Sequence, residues 1–232
     1  FAAPPVVTKG PGEAVVAAWN IRNDPIGPRA ADIARGIAAM QADVIALTEV
    51  EPLSAKDVIV KELAKLGLRY SATYAERRDR QNIVLLAKQG VKVTNVKPIP
   101  RSNDGNPDLR MAYSALVRTG KFDFIVIAVH NKSKRGGQAQ TLPIRNRQAD
   151  AIASFYWNAT RGAEKDVLLI GDYNMTRDED QENFRRLNPR GYLQFIGQQS
   201  MRNPYTYLFA DPKRVSFIDG FAISYKHTRE WV

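Results

Sequence analysis

A chain of 232 residues in which 44% of side chains are apolar and 25% charged has enough hydrophobic material for a real core, so disorder is not the default, and the length fits one large α/β or β-sandwich domain. Cysteine is absent, so disulfides and thiolate metal sites are excluded, and no apolar run approaches the ~18 residues that a membrane-spanning helix needs. With 34 Lys and Arg against 24 Asp and Glu, a formal charge of +10, the long-range field attracts polyanions such as nucleic acid or anionic lipid surfaces.

The chain opens on Phe1-Ala-Ala-Pro-Pro. This looks like a processed end behind a removed secretory peptide and points to an extracytoplasmic protein, secreted or periplasmic, with a cytoplasmic one as the alternative. Pro4 to Gly12 reads as an irregular lead-in, and Ala14 to Ile21 as a central strand ending at Asn20. Pro28 suits a first helical turn, and Ile33, Ile37 and Met40 recur at helical spacing. The strand Asp43 to Thr48 hands off to Glu49. A helix from Ser54 to Leu66 follows, with Ser54 as its cap and Val58, Leu63 and Leu66 on its inner face.

Between Tyr70 and Val129 the pattern changes to strands: 70–75, 83–88, 91–98, 111–118 and 122–129, the last two joined by a Thr119-Gly120-Lys121 hairpin turn. A polar loop, Asn131 to Thr141, leads into a helix over Pro143 to Trp157. The apolar run Val167 to Ile170 reads as a strand buried on both faces that Gly171 ends. A short helix over Thr176 to Leu187 and a last strand over Ser216 to Ser224 follow, while Gly191 to Pro204 carries no clear pattern. Strict βαβ alternation and a Gly-x-Gly-x-x-Gly turn are both missing, which argues against a Rossmann-type sheet. Two mainly antiparallel sheets packed face to face, with helices outside them, are the expected α/β architecture, in a single domain.

Six polar residues stand at or just past apolar strand runs: Asn20, Glu49, His130, Asp172, Asn174 and Asp219. Asp172 and Asn174, one residue apart, point the same way if the chain there stays extended. Strands that share a mouth would bring the six together, and carboxylates gathered so closely need a cation or raised pKa values. With His130 and His227 as the only histidines, oxygen ligation of Mg²⁺ or Mn²⁺ fits better than a zinc site, and Ca²⁺ stays open.

The set Trp19-Asn20, Thr48-Glu49-Val50-Glu51, the strand ending in His130, Gly171-Asp172-Tyr173-Asn174 and Ser216-Phe217-Ile218-Asp219-Gly220 resembles the endonuclease/exonuclease/phosphatase superfamily from about Val15 to Ile223. That superfamily includes deoxyribonuclease-I-like nucleases, apurinic endonucleases, sphingomyelinases and inositol-phosphate phosphatases, and its fold is a four-layered α/β sandwich. The resemblance implies that Glu49 is the principal metal ligand with Asn20 beside it, that Asp172 positions or deprotonates the attacking water, and that Asn174 holds a phosphate oxygen. It makes Asp219 the aspartate that orients a catalytic histidine or assists at the metal, His130 a contact of the scissile phosphate, and Arg110 and Thr206 phosphate-binding residues. Two departures stand out. The family's Ser-Asp-His after the match to Asp219 is not among these residues, so the domain reads as lacking its C-terminal strand; His227 comes too early to replace that histidine and reads as a surface residue. Gln81-Asn82 stands where some relatives carry a phosphate-contacting tyrosine.

His130 to Gln138, with Lys132, Lys134 and Arg135, resembles the basic loop of secreted bacterial nucleases in the superfamily. Arg77, Arg78 and Arg80 form a second basic cluster, and Arg145 and Arg147 begin the helix beyond the loop. Together these favour a polymeric nucleic acid, DNA before RNA, because a polymer gains from many weak backbone contacts. The expectation is a metal-dependent DNA endonuclease of low sequence specificity, acting as a monomer. A lipid or inositol phosphodiesterase and a catalytically impaired polyanion-binding domain are the alternatives.

Overall fold

The computed structural model describes residues 9–10, 12–196, 206–208 and 215–229. The readings for 1–8 and 197–204 lie outside these residues. In chain order the elements are β1 (Val16–Asn20), α1 (Ile26–Met40), β2 (Val44–Val50), α2 (Ala55–Lys65), β3 (Tyr70–Thr73), β4 (Asn82–Lys88), β5 (Lys92–Pro98), β6 (Tyr113–Thr119), β7 (Phe122–His130), α3 (Gln138–Ala159), β8 (Val167–Asp172), α4 (Gln181–Leu187), β9 (Gln194–Ile196), β10 (Tyr207–Leu208), β11 (Val215–Ser216) and β12 (Asp219–Ile223). A four-stranded sheet has the order β1-β2-β4-β3, and a six-stranded sheet the order β5-β6-β7-β8-β12-β9. Pairing is antiparallel except for β1 with β2 and β7 with β8, so both sheets are mixed.

Strand alternation distributes the core over three layers of contact. In β2, Val44 and Ala46 pack between the sheets with Leu85, Tyr113, Val126 and Ile170; Ile45 and Leu47 face the other way, against Ile33, Ile37, Ile59 and Leu63 of α1 and α2. In β8, Leu168 and Ile170 face the first sheet, while Leu169 meets Ile152 and Tyr156 of α3. Both central strands are covered on both faces, which is why they read as unbroken apolar runs. The result is a four-layered α/β sandwich. Among the described residues, no helix is long and apolar enough to cross a membrane.

Several boundaries differ from the sequence reading. Ser54 sits at the start of α2 in helical conformation and makes no side-chain cap bond. The inner face of α2 is Ala55, Ile59 and Leu63, whereas Val58 and Leu66 are exposed; helical spacing from the wrong starting residue rotates the apolar stripe. Helix α3 begins at Gln138, with Pro143 inside it. The sequence reading took that proline for a helix start, but tertiary bonds from Gln138 and Arg145 to Asp180 hold the preceding turn in helical form. α4 is shorter than the run from Thr176, because Thr176 to Asp180 is folded by side-chain bonds to Asp180. The expected last strand is divided into β11 and β12.

Candidate active site

Chain direction explains why the polar residues meet. β1, β2, β7 and β8 finish at one edge of the sandwich, and β12 begins there, with Asp219 in register with Asp172 and His130 in register with Asp172 on the other side. Asp219 therefore opens a strand instead of closing one. Gly171 does not end β8 either; the strand runs through it to Asp172. Its φ is +125°, and a Cβ there would lie 2.2 Å from the Val129 carbonyl oxygen, so glycine alone lets β8 press against β7 next to the site. Asn174 is not on extended chain. Its φ is +51°, and its N–H donates to Asp172 Oδ1 at 2.9 Å, an Asx turn that swings its carboxamide back over the strand end.

Glu49 is aimed by a break in β2. Register with β4 shifts between Leu47 and Val50, and Glu49 adopts φ +62°, the conformation of a bulge that re-directs a side chain at a site. Asn82, fully buried, staples the far side of the bulge: its Nδ2 donates to the Val50 carbonyl at 2.9 Å, and its Oδ1 accepts the Arg78 N–H at 2.9 Å. Asn82→Ala is expected to cost ~1–3 kcal/mol, the penalty for buried backbone groups left unpaired. Urea unfolding checks this, and an unchanged midpoint would remove Asn82 from the account of Glu49.

Asn20 Nδ2 donates to Glu49 Oε1 at 3.1 Å and to Asp172 Oδ2 at 3.0 Å, so one carboxamide bridges two carboxylates across the sheets. His130 Nε2 lies 3.7 Å from each of the same two oxygens, and the Asn23 N–H donates to Glu49 Oε2 at 2.9 Å. Arg110 is buried beneath them; it donates to the carbonyls of His130 and Asn131 at 3.0 and 2.8 Å and to Gln81 Oε1 at 2.9 Å. Asn174 Nδ2 shares the Asn131 carbonyl, at 3.1 Å. Thr206 Oγ1 accepts the N–H groups of Ile218 and Asp219, both at 3.1 Å, and so fixes the backbone that presents Asp219.

Burial pushes the Asp172 carboxyl up to about 8. Asp219 adds to this, against the hydrogen bonds from Asn20 and the Asn174 N–H and the charge of Arg110. Burial also lifts Asp219 to about 6, opposed by Thr206 and helped by the charge of Glu49. The same burial, with Arg110 nearby, holds the His130 imidazole well below its ordinary range, and Arg110 itself is lowered to about 10. Two carboxyls held toward the neutral form beside a third are what an unmet need for positive charge produces.

That donor set suits a hard divalent cation: carboxylate oxygens from Glu49, Asp172 and Asp219, with Asp219 Oδ1 buried and without a partner among the described residues; Asn20 turns its Nδ2 to Glu49 and Asp172 and its Oδ1 to the Arg22 N–H at 2.9 Å, so it orients the carboxylates. Among the described residues, no group of three or more His, Asp or Glu side chains is arranged to hold a metal ion by itself.

The basic residues expected to face substrate divide into two kinds. Lys132 bonds the carbonyls of Ser133 and Arg135 at 3.0 Å and stays beside the site. Lys134 is occupied by Asp180 at 2.7 Å, Glu179 at 2.5 Å and Thr176 at 2.7 Å. Arg145 does not belong to an open basic face: it is fully buried and pairs with the fully buried Asp180 at 2.8 Å. Arg147 is tied to Asp104. His227 lies on the exposed turn past β12, at the opposite edge of the sheet, as a surface residue. Sequence reasoning missed Asp180, Asn82, the role of Gln81, and Gln148, whose Oε1 accepts the Lys132 N–H at 2.9 Å. Only Gln81-Asn82 carried a signal, as an oddity of pattern.

The model of the Endonuclease/Exonuclease/phosphatase family matches residues 17–219. No curated protein matches the chain by sequence. Among solved structures, a mannosyl-6-phosphatase from Bacteroides thetaiotaomicron superposes with a TM-score of 0.70 at 15% identity, over 91% of this chain and 85% of that one. The human Nocturnin catalytic domain gives 0.65 at 16% identity over 89% and 80%. TDP2 from D. rerio, complexed with single-strand DNA product, gives 0.67 at 14% identity over 90% and 83%. At these identities the likeness is one of fold. Members of the family are hydrolases of phosphoesters and generally use divalent metals. With the family model spanning nearly all of its length on this fold, the chain belongs to the Endonuclease/Exonuclease/phosphatase family.

Proposed function

We infer that the chain is a divalent-metal-dependent phosphodiesterase that cuts nucleic acid internally, DNA foremost, with little sequence preference. The observation that carries this reading is the Asn20 bridge between Glu49 and Asp172 with His130 against both. Glu49 would hold the cation, with Asn20 beside it binding it or orienting its waters; when bound, the cation neutralises charge on the phosphoryl oxygens. Asp172, whose carboxylate is held by the Asn20 Nδ2 and the Asn174 N–H and lies 3.7 Å from His130 Nε2, would take a proton from water. The free N–H of the Asn174 carboxamide and the His130 ring supply donors for phosphate oxygens; Arg110 adds fixed positive charge beneath them.

A polymer substrate is favoured over a small phosphomonoester by the rim. Val50 pairs with Asn82, which sets the hairpin between β3 and β4 beside Glu49, and its Arg77 and Arg80 are exposed. Lys132 and Arg135 stand on the other side. The net charge of +10 and a similar fold holding a single-strand DNA product support the same choice. Incubating plasmid with the purified protein and Mg²⁺ or Mn²⁺ is expected to give nicked and then linear DNA, and chelator is expected to stop it. Plasmid left supercoiled under every metal condition would overturn the reading; salt-sensitive DNA binding without turnover would replace it with a binding domain.

A further inference from the structure

At the edge of the six-stranded sheet opposite the candidate site, aromatic and cationic side chains gather that phosphodiester chemistry does not use. β8 begins there and finishes in the site, so the two are separated by its six residues, about 17 Å of strand. Buried Tyr156, half-buried Tyr192 and exposed His227 stack in a column, with centroid distances of 5.8 and 5.3 Å and interplanar angles of 27° and 29°. Trp157 meets Tyr192 edge-on at 6.2 Å and carries the Arg190 guanidinium 4.0 Å above its ring.

The column is held from both ends. Tyr192 OH donates to the Lys165 carbonyl at 2.6 Å, and the turn bearing His227 closes through its N–H on the Ser224 carbonyl at 2.8 Å. Beside it opens a cavity of roughly 200 Å³ lined by Trp157, Thr160, Arg161, Lys165, Tyr192 and His227. Drug-sized ligands take ~300–1,000 Å³, so this space admits one planar group and not a whole cofactor. Arg161 and Lys165 are exposed and form no ion pair among the described residues; the nearby acids are Glu164 and Asp166.

The geometry points to a second nucleic-acid contact: one base of a single strand stacks on the His227–Tyr192 column, and its flanking phosphates pair with Arg161 and Lys165. A π-face takes any base, which suits a substrate of low sequence preference, and a base already paired in a duplex cannot enter. A strand anchored here while another part lies in the candidate site would be bound more tightly with length. The ligand class rests on the reading under Proposed function; the site does not depend on turnover.

The test is fluorescence anisotropy with a labelled single-stranded oligothymidylate and with a duplex of equal length, in EDTA, for the wild type, His227→Ala and Arg161→Ser/Lys165→Ser. These are surface changes, and unchanged melting temperatures confirm the fold. His227→Ala is expected to weaken single-strand binding roughly 5- to 100-fold, the range for one lost base stack, and to leave duplex binding unchanged; the double variant should reduce the salt dependence. Hydrolysis of bis(p-nitrophenyl) phosphate with Mg²⁺ should be the same in all three. Single-strand affinity within about 2-fold of wild type, or an equal loss on duplex, overturns the proposal. Wild-type protein that binds the single strand but never hydrolyses the diester strikes only the phosphodiesterase reading.

Discussion

Asp172→Asn is expected to slow phosphodiester hydrolysis by about 10²–10⁴-fold, the usual worth of a positioned base, while making the metal-free protein more stable at pH 8. The second half follows from the carboxyl's position. Burial lifts its folded-state pKa to about 8, against ~3.9 for a free aspartate. The folded state therefore keeps a proton that the unfolded chain releases, and the metal-free protein loses stability as pH rises from ~4 through about 8, with the full loss present above that. Asp219 adds a smaller loss of the same sign that ends at about 6. An amide carries none of this charge penalty and its oxygen still accepts the Asn174 N–H, while its NH2 meets the Asn20 Nδ2 without an acceptor, which offsets part of the gain. Thermal melts in EDTA at pH 5 and pH 8 read it directly: the wild type should melt lower at pH 8 than at pH 5, and the variant should exceed it at pH 8 by ~2–8 °C, or ~1–2 kcal/mol. A variant that melts below wild type at pH 8 would show that Asp172 is satisfied as an anion in the empty site. Added Mg²⁺ should raise the melting temperature of wild type and variant alike, because Glu49 remains to hold it.

Arg145→Met is expected to destabilise the fold by ~1–3 kcal/mol, because it removes one of the two cations on the buried Asp180 and leaves Lys134, at 2.7 Å, as the other. Arg145 spans the Lys132 carbonyl at 3.3 Å, Gln138 Oε1 at 2.8 Å and Asp180 Oδ1 at 2.8 Å. Gln148 completes the clamp, accepting the Lys132 N–H at 2.9 Å and donating to the Ser102 carbonyl at 2.8 Å. The clamped segment is the one whose carbonyls, at His130 and Asn131, receive Arg110 and Asn174. Loss of the clamp should thus reduce turnover beyond what the unfolded fraction explains. Arg145→Met/Asp180→Leu should recover part of the stability, since an apolar pair can replace a buried ion pair, without recovering turnover. Chemical unfolding decides it: a single variant within ~0.5 kcal/mol of wild type would mean that Lys134 alone satisfies Asp180.

The apolar runs at β1, β2, β7 and β8 were legible because a central strand covered on both faces has no polar alternation to blur it. Their terminal residues named most of the candidate site for the same reason: a polar side chain behind such a run has nowhere to go but the edge. Charge was less informative. Lys134, Arg145 and Arg147 read as a basic face, and the fold gives each an acidic partner at 35 to 46 residues' remove, Asp180 for the first two and Asp104 for the third.

What the sequence determined by itself was the inventory: which strands are central, which side chains stand at their ends, and that oxygen donors and a basic surface dominate. What only the tertiary structure decided was aim. Glu49 faces Asn20 because β2 bulges, Asn174 because its backbone turns left-handed, and Asp219 because β12 runs against β8. Bulges, Asx turns and strand direction depend on hydrogen bonds between residues far apart in the chain, such as Asn82 with Val50, and no local periodicity carries that information.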